Sequence, residues 1–590
     1  MGVPGFFAWL LRKYKVSDMI KNQLSSDANV LYIDANCLFH PQCFKVLNFY
    51  NNDINVDKLV DKMIKRILNY IDYIVTFVNP SCEVFISVDG VAPMAKMNQQ
   101  RKRRYKTVQD NEMKGKIKQK YEKEDNTIWS NTCITPGTVF MEKLHQKIIE
   151  HINENKLGLK IKYTYSSYHC IGEGEHKILQ DIKLRSKEEK NKDDVYVIYG
   201  LDADLLFLSL ASKKEGIFLL REETVLRSVN KTVDKEDILD ITRDVAEDLN
   251  FVSIDELRKC INNQVRQIIN KRTSDGMENM FDEYDFTDDF IIMCYFLGND
   301  FIPNIPSLDI KSEGLDYILR NYVDTFLTLN CQLSKIDDTN CEVNDIFLGE
   351  LLKNLASGED YYFKVIYPKY LENIGRRKCM SEDPYEKEVW NMENMRLGEI
   401  DDPIKLGIDD PKLWKFRYYE HYYGIKRNQS DLIDNMCKDY LNGMMWTLKY
   451  YFRKCPSWSW QYNFYHAPFI SDLQKYFNEN KYSINNIKFK DNIIPTPLTQ
   501  LMSVLPPSCS NLLPAKYAYL MTSPNSPIID MFPIDVKTDT LNKDSLHKCI
   551  PFVPNIELER IEITLKNIKL TNEEKIRNII ADNYSINYRK

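Results

Sequence analysis

Four carboxylates crowd a single helix–strand unit between Gly172 and Asp204, and that crowding limits what the chain can fold into. The stretch opens Gly172-Glu173-Gly174-Glu175-His176 and continues as an apolar helical segment through Ile178, Leu179 and Ile182. After the charged loop 187–194 comes a strand pattern, Val195-Tyr196-Val197-Ile198-Tyr199, which stops on Gly200-Leu201-Asp202-Ala203-Asp204. A short unbroken apolar run suits a strand buried on both faces of a parallel sheet. In an open α/β sheet, ligands bind beyond the carboxyl ends of such strands. Acids gathered there repel one another unless a cation sits among them. An all-oxygen set suits Mg²⁺ or Mn²⁺ rather than zinc. The competing reading is four solvated acids capping a helix and a strand.

Two more strand patterns end the same way. Asn29-Val30-Leu31-Tyr32-Ile33 stops on Asp34-Ala35-Asn36, and the run 82–88 stops on Asp89-Gly90. One acid at a strand end is commonplace, but three strands delivering them point to a shared site. A buried helix, Asp288 to Leu297, closes on Gly298-Asn299-Asp300-Phe301-Ile302-Pro303, which adds Asp300 at a helix end sharpened by Gly and Pro. The candidate ligands are therefore Asp34, Asp89, Glu173, Glu175, Asp202, Asp204 and Asp300.

Past Asp89 the segment Gly90-Val91-Ala92-Pro93 feeds a helix expected from about Met94. On it Lys96, Gln100, Arg103 and Arg104 fall at i, i+4, i+7 and i+8, one helical face. Such a face can close on a terminal phosphate, because Arg offers a bidentate fork and Lys a point charge. An isolated basic helix is more often a solvated surface; its attachment to an acidic strand end favours function. The net charge of −6 argues against a nucleic-acid binder only on average. Between Lys96 and Lys120 ten Lys/Arg face only Asp110 and Glu112, and a local patch of that kind binds polyanions.

The remaining features narrow the class. No apolar run reaches the roughly 18 residues a membrane span needs, so no membrane association is expected. The N-terminus lacks the order of a secretory signal, and Phe6 stands where a myristoylation motif wants Ser or Thr. Fourteen cysteines without a Cys-x-x-Cys pair argue for a reducing, intracellular compartment and against a zinc ribbon. Helices are expected over Val56–Val78, after Ile134-Thr135-Pro136-Gly137-Thr138, across Thr232–Tyr284 and near Ile556–Ile580. Residues 310–400 read as connections. From Asp401 aromatics cluster, as in Trp414-Lys415-Phe416-Arg417-Tyr418-Tyr419 and Tyr450-Tyr451-Phe452, a density that usually marks core.

With these motifs in place, the chain resembles the Xrn-type 5′→3′ exoribonucleases, relatives of the flap endonucleases. The resemblance rests on Met1-Gly2-Val3-Pro4, Ile33-Asp34-Ala35-Asn36, Val88-Asp89-Gly90-Val91-Ala92-Pro93, Cys133-Ile134-Thr135-Pro136-Gly137-Thr138 and Gly172-Glu173-Gly174-Glu175-His176. It continues through Asp202-Ala203-Asp204, Gly298-Asn299-Asp300, Pro456-Ser457-Trp458-Ser459-Trp460, His466-Ala467-Pro468 and Ser510-Asn511-Leu512-Leu513-Pro514. It implies an α/β fold whose central, mostly parallel sheet is flanked by helices, with a largely helical, aromatic-rich second region packed around it. The implied divisions are a catalytic core at 1–320, a connecting segment at 321–400 and a completing region at 401–590. The chain ends soon after the second region and is expected to be a short form without a long C-terminal extension.

The resemblance further implies processive 5′→3′ hydrolysis of single-stranded, 5′-monophosphorylated RNA to nucleoside 5′-monophosphates by a monomer holding two Mg²⁺ ions, with Mn²⁺ an alternative. The seven acids carry the metals, with Asp204, Glu175 and Asp89 nearest the chemistry. Lys96, Gln100, Arg103 and Arg104 form the 5′-phosphate pocket. His40 and one of Trp458 and Trp460, Trp458 favoured, sandwich the terminal bases. A cytoplasmic setting is favoured over a nuclear one. The rivals are a flap-type, structure-specific DNA nuclease and a non-catalytic RNA-binding scaffold of the same fold.

Overall fold

Burial on both faces decides the architecture. The structure is a computed structural model that describes residues 3, 5–15, 19–50, 54–123, 128–154, 157, 160–200, 203–223, 240–273, 281–398, 401–426, 429, 431–490 and 494–581. Seven strands, β1 (Ile20–Lys21), β2 (Val30–Asp34), β3 (Glu83–Ser87), β4 (Lys162–Ser166), β5 (Tyr196–Tyr199), β6 (Ile217–Glu222) and β7 (Leu249–Ser253), form one sheet in the order β1-β7-β6-β5-β2-β3-β4. The five from β6 through β4 run parallel. β7 is antiparallel to both its neighbours.

Side chains alternate across the strands, and the alternation sorts the core. Val30, Tyr32, Phe85, Tyr196 and Ile198 face one layer, built by the helices Gly174–Arg185, Asp204–Ala211, Thr287–Cys294 and Asp431–Phe452. Leu31, Ile33, Val84, Ile86, Val197 and Tyr199 face the other, built by Ala35–Tyr50, Val56–Val78 and Val139–Glu154. Asp34 continues the Val30/Tyr32 row, so its carboxylate emerges on the side of the Gly174–Arg185 helix. The chain leaves β2 on one side for β3 and β4, then returns on the other for β5 and β6. That reversal places the crevice of a doubly wound sheet at the carboxyl ends of β2 and β5.

A third apolar cluster joins Ala92, Met94 and Met97 to Leu498, Leu501, Met502, Met521 and Phe532, so residues beyond 490 dock on the start of the Met94–Lys120 helix. Residues 310–400, read from sequence as connections, contribute the helices Gly314–Leu329 and Asp345–Ser357, which bury Leu319, Tyr322, Phe347 and Leu351 in the largest cluster. The helix expected across Thr232–Tyr284 is corrected in part. Leu249–Ser253 is strand β7, held between β1 and β6, and the helix begins at Ile254 behind a Ser253 cap on the Glu256 N–H. Pairing with β6 outweighs the helical reading of Leu249-Asn250-Phe251-Val252. Residues 232–239 and 274–280 of that segment lie outside the described residues.

The loop after β3 is laced to the loop before Glu173. Gly90 N–H donates to the Gly172 carbonyl at 2.9 Å, and Gly172 N–H donates to the Val91 carbonyl at 2.7 Å. A Cβ on Gly90 would lie 1.7 Å from the Cys170 carbonyl oxygen, a backbone atom with no room to yield. Gly90→Ala is expected to lower unfolding free energy by about 1–3 kcal/mol or more, measured as a shift of the urea midpoint at unchanged slope.

Candidate active site

Each acid reaches the crevice from a different element. Asp34 ends β2, and Asp89 lies two residues past β3. Glu173 precedes the first residue of the Gly174–Arg185 helix and Glu175 sits in its first turn, where the helix dipole favours negative charge. Asp204 opens the Asp204–Ala211 helix, and Asp300 follows the Tyr295–Leu297 turn. Asp202 lies outside the described residues.

Gly174 is the pivot. Its N–H donates to Asp89 Oδ1 at 2.7 Å, so the strand acid caps a helix from another part of the chain. A Cβ at this position would meet Asp34 Oδ1 at 2.9 Å and Asp89 Oδ1 at 3.3 Å. Only glycine lets both carboxylates close on the helix start. Asn36 Oδ1 accepts from the Asp89 N–H at 3.0 Å, and Cys37 Sγ lies 2.9 Å from Asp34 Oδ2.

Lys96 sits inside this ring of acids. Its Nζ is 2.5 Å from Glu173 Oε1 and 2.8 Å from Asp300 Oδ2, with the residue 8 % exposed. Burial alone would push the ammonium down, but Asp300, Glu173, Glu175 and Asp204 hold it well above its usual range. Asp300, despite its burial, is held below the usual carboxylate range by Lys96. Burial wins at Glu173, which stands above that range even with Lys96 beside it, and the negative charge of Asp89 adds to the rise. The sequence grouped Lys96 with Arg103 and Arg104 on one helical face; the structure pairs it with Glu173 and Asp300.

Two hydroxyls from far along the chain finish the arrangement. Tyr450 donates to Glu173 Oε2 at 2.7 Å, and Tyr451 donates to Asp204 Oδ1 at 3.0 Å. Both phenols stay protonated, since burial first and then these carboxylates raise them well above their usual range. Read from sequence as core aromatics, they carry this second role with no local signal. Among the described residues no three of the site's carboxylates bring an oxygen each within 4.8 Å of one another. The donor set is open and oxygen-only. That fits Mg²⁺, which keeps several waters and takes one or two carboxylates.

The other end of the helical face carries Gln100, Arg103 and Arg104. Arg104 Nη2 donates to Thr135 Oγ1 at 2.7 Å, while its Nε and Nη1 are buried with no protein acceptor. Burial, reinforced by the positive charge of Arg103, lowers Arg104 to about 9. Gln100, 9 % exposed, likewise buries Oε1 without a partner, and Arg103 is exposed. His40 lies beside both arginines; burial and then those two charges lower it to about 4, leaving a neutral ring.

The two tryptophans separate. Trp460 stacks on Trp446 with ring centroids 5.4 Å apart and packs over Gly443. Trp458 is half-buried, accepts the Met94 N–H on its carbonyl at 2.8 Å, and lines a cavity of about 570 Å³ with His176, Lys177 and Lys454. His176 stacks on Tyr450 at 4.3 Å and bonds the Tyr450 carbonyl at 3.0 Å, a packing role.

Comparison with known proteins identifies the family. The model described as XRN 5'-3' exonuclease N-terminus matches residues 1–223, and the Xrn1 helical domain matches 280–366 and 357–587. The chain is 29% identical to 5'-3' exoribonuclease 1 of Homo sapiens over 98% of its own length and 35% of that protein. It is 28% identical to the 5'-3' exoribonuclease 2 homolog of Drosophila melanogaster, covering 99% of this chain and 73% of the relative. With 5'-3' exoribonuclease 1 of Saccharomyces cerevisiae it shares 26% identity over 98% of this chain and 44% of that protein. The chain thus spans between about a third and three quarters of these relatives. Among the described residues no helix is long and apolar enough to cross a membrane.

Breaking the Lys96 pairs tests the electrostatics directly. Lys96→Met strands Glu173 and Asp300 beside each other, and unfolding in chelator is expected to become about 3–5 kcal/mol easier. A loss under about 1 kcal/mol, the range of surface pairs, would show that the pairs are solvated.

Proposed function

Because the chain belongs to the XRN 5'-3' exonuclease family, we propose that it removes nucleoside 5′-monophosphates one after another from RNA bearing a 5′-monophosphate. The observation that carries this reading is Arg104: two buried donors with no protein acceptor, on the same helix as a lysine set among carboxylates. A buried guanidinium left with unfilled donors is costly unless an anion completes it. Eight residues of helix separate Arg104 from Lys96, about 12 Å of axial rise. A strand end seated on Arg103 and Arg104 therefore leaves only its first linkages within reach of the acids, which makes the activity terminal and its products small.

Two Mg²⁺ ions held by the acids would acidify a water and offset the charge of the departing 3′-oxygen. The protein's own groups do the positioning. Tyr450 and Tyr451 fix the orientation of Glu173 and Asp204, and Asn36 together with the Gly174 N–H fixes Asp89. Lys96 keeps the ring of acids from repelling itself apart. The neutral His40 ring and Trp458 flank the terminal bases, at about 1–3 kcal/mol per stacked base. Stacking ignores base identity, so low sequence preference follows.

Asp204→Ala is expected to abolish Mg²⁺-dependent release of mononucleotides while leaving RNA retention on a filter largely intact. Arg103→Ala combined with Arg104→Ala removes charge-assisted hydrogen bonds worth about 1.5–3 kcal/mol each. The preference for 5′-monophosphate over 5′-hydroxyl RNA should then fall by roughly a hundredfold or more. Equal losses on both substrates would overturn the phosphate assignment.

A further inference from the structure

We propose that Glu142, His145 and His169 bind one transition-metal ion of the Zn²⁺ class, apart from the oxygen-only acids of the active site. One ligand atom from each residue lies within 4.8 Å of the other two. Glu142 and His145 stand at i and i+3 on the Val139–Glu154 helix, hence on one face. His169 comes from the loop that follows β4. The two histidines are 4 % and 5 % exposed.

Hydrogen bonds orient all three. His169 Nδ1 lies 3.0 Å from the carbonyl oxygen of Ile579. A carbonyl only accepts, so Nδ1 carries hydrogen, and in the neutral ring Nε2 presents a lone pair. That Nε2 is 3.4 Å from Glu142 Oε2. Two acceptors facing each other at this range repel unless a cation is shared, either a proton on the imidazole or a metal ion. An outer hydrogen bond from the second ring nitrogen to a backbone carbonyl is the usual support of a metal-bound histidine. His145 Nδ1 lies 3.1 Å from the Tyr165 hydroxyl, which accepts the ring N–H in the tautomer that frees Nε2 for a metal. Tyr168 and Gln146 both donate to the Glu142 carboxylate, fixing the third group.

Two imidazoles and one carboxylate form a zinc donor set with a fourth position open; Mg²⁺ prefers oxygen alone. The position suggests what such an ion would do. Ala581 N–H donates to the His169 carbonyl at 3.0 Å, and Cys170 bridges to Ala581 in the parallel sense. The same loop runs on through Gly172 into Glu173. An ion here would clamp a helix, the loop entering the active site and the segment 579–581, and would raise thermal stability by mass action.

The test uses the full chain, stripped with chelator and titrated with Zn²⁺ in excess Mg²⁺ so that the acids are already served. Wild type is expected to retain one Zn²⁺ per chain after gel filtration and to melt higher, and Co²⁺ in its place should give visible d–d absorption. Glu142→Gln should weaken Zn²⁺ binding at least as much as loss of an outer-shell partner does, about 10–100-fold, and abolish the melting shift. Tyr165→Phe keeps the ring and removes only the hydroxyl partner of His145, so it serves if Glu142→Gln fails to fold; its binding should fall about tenfold. Zn²⁺ wholly displaced by Mg²⁺, or held equally by the folded variants, would overturn the proposal in favour of a proton shared between His169 and Glu142.

Discussion

The ammonium of Lys96 makes the acidic edge of the sheet tolerable. At an effective dielectric of about 20, two unit charges 4 Å apart interact by about 4 kcal/mol, so a nest of carboxylates opens unless opposite charge is built in. Lys96 supplies it at 2.5 and 2.8 Å from two of them. The lysine is itself held by its helix, which the rest of the chain grips at its start. Met94 N–H donates to the Trp458 carbonyl, Ala92 N–H to Gln500 Oε1, and Arg101 Nη1 to the Ser503 carbonyl. Electrostatics in the N-terminal third thus depends on packing supplied by the C-terminal third.

That dependence also accounts for the aromatic density of the second region. His176, Tyr450, Trp446 and Trp460 form one continuous stack, with successive centroids 4.3, 4.8 and 5.4 Å apart. Aromatic pairs of this kind add about 0.5–1.5 kcal/mol each beyond their buried area. The stack fixes the last turns of the Asp431–Phe452 helix against the Gly174–Arg185 helix. Tyr450 is therefore both a core ring and a hydroxyl donor, and Trp460 is spent on packing while Trp458 remains beside an open cavity.

The parts of this arrangement legible in the sequence were those with a local period. Apolar strands ending on Asp34 and Asp89, and the shared face of Lys96, Gln100, Arg103 and Arg104, follow from periods of two and 3.6 residues. What depends on distant partners was not legible. Helical spacing groups Lys96 with the arginines, yet Glu173 and Asp300, brought in from other elements, pair with it. Nothing near Tyr451 announces Asp204, 247 residues away. Leu249–Ser253 is a strand because β6 offers it a free edge, a fact about its neighbour rather than itself. Glu142 and His145 show helical spacing, but His169 joins them only through the fold.

The bonds from Tyr450 to Glu173 and from Tyr451 to Asp204 carry a temporal consequence. Synthesis runs from the N-terminus, so every acid up to Asp300 leaves the ribosome while both phenols are still untranslated. A nascent chain can assemble its sheet early, but Glu173 and Asp204 cannot be fully oriented until Tyr450 and Tyr451 have been made.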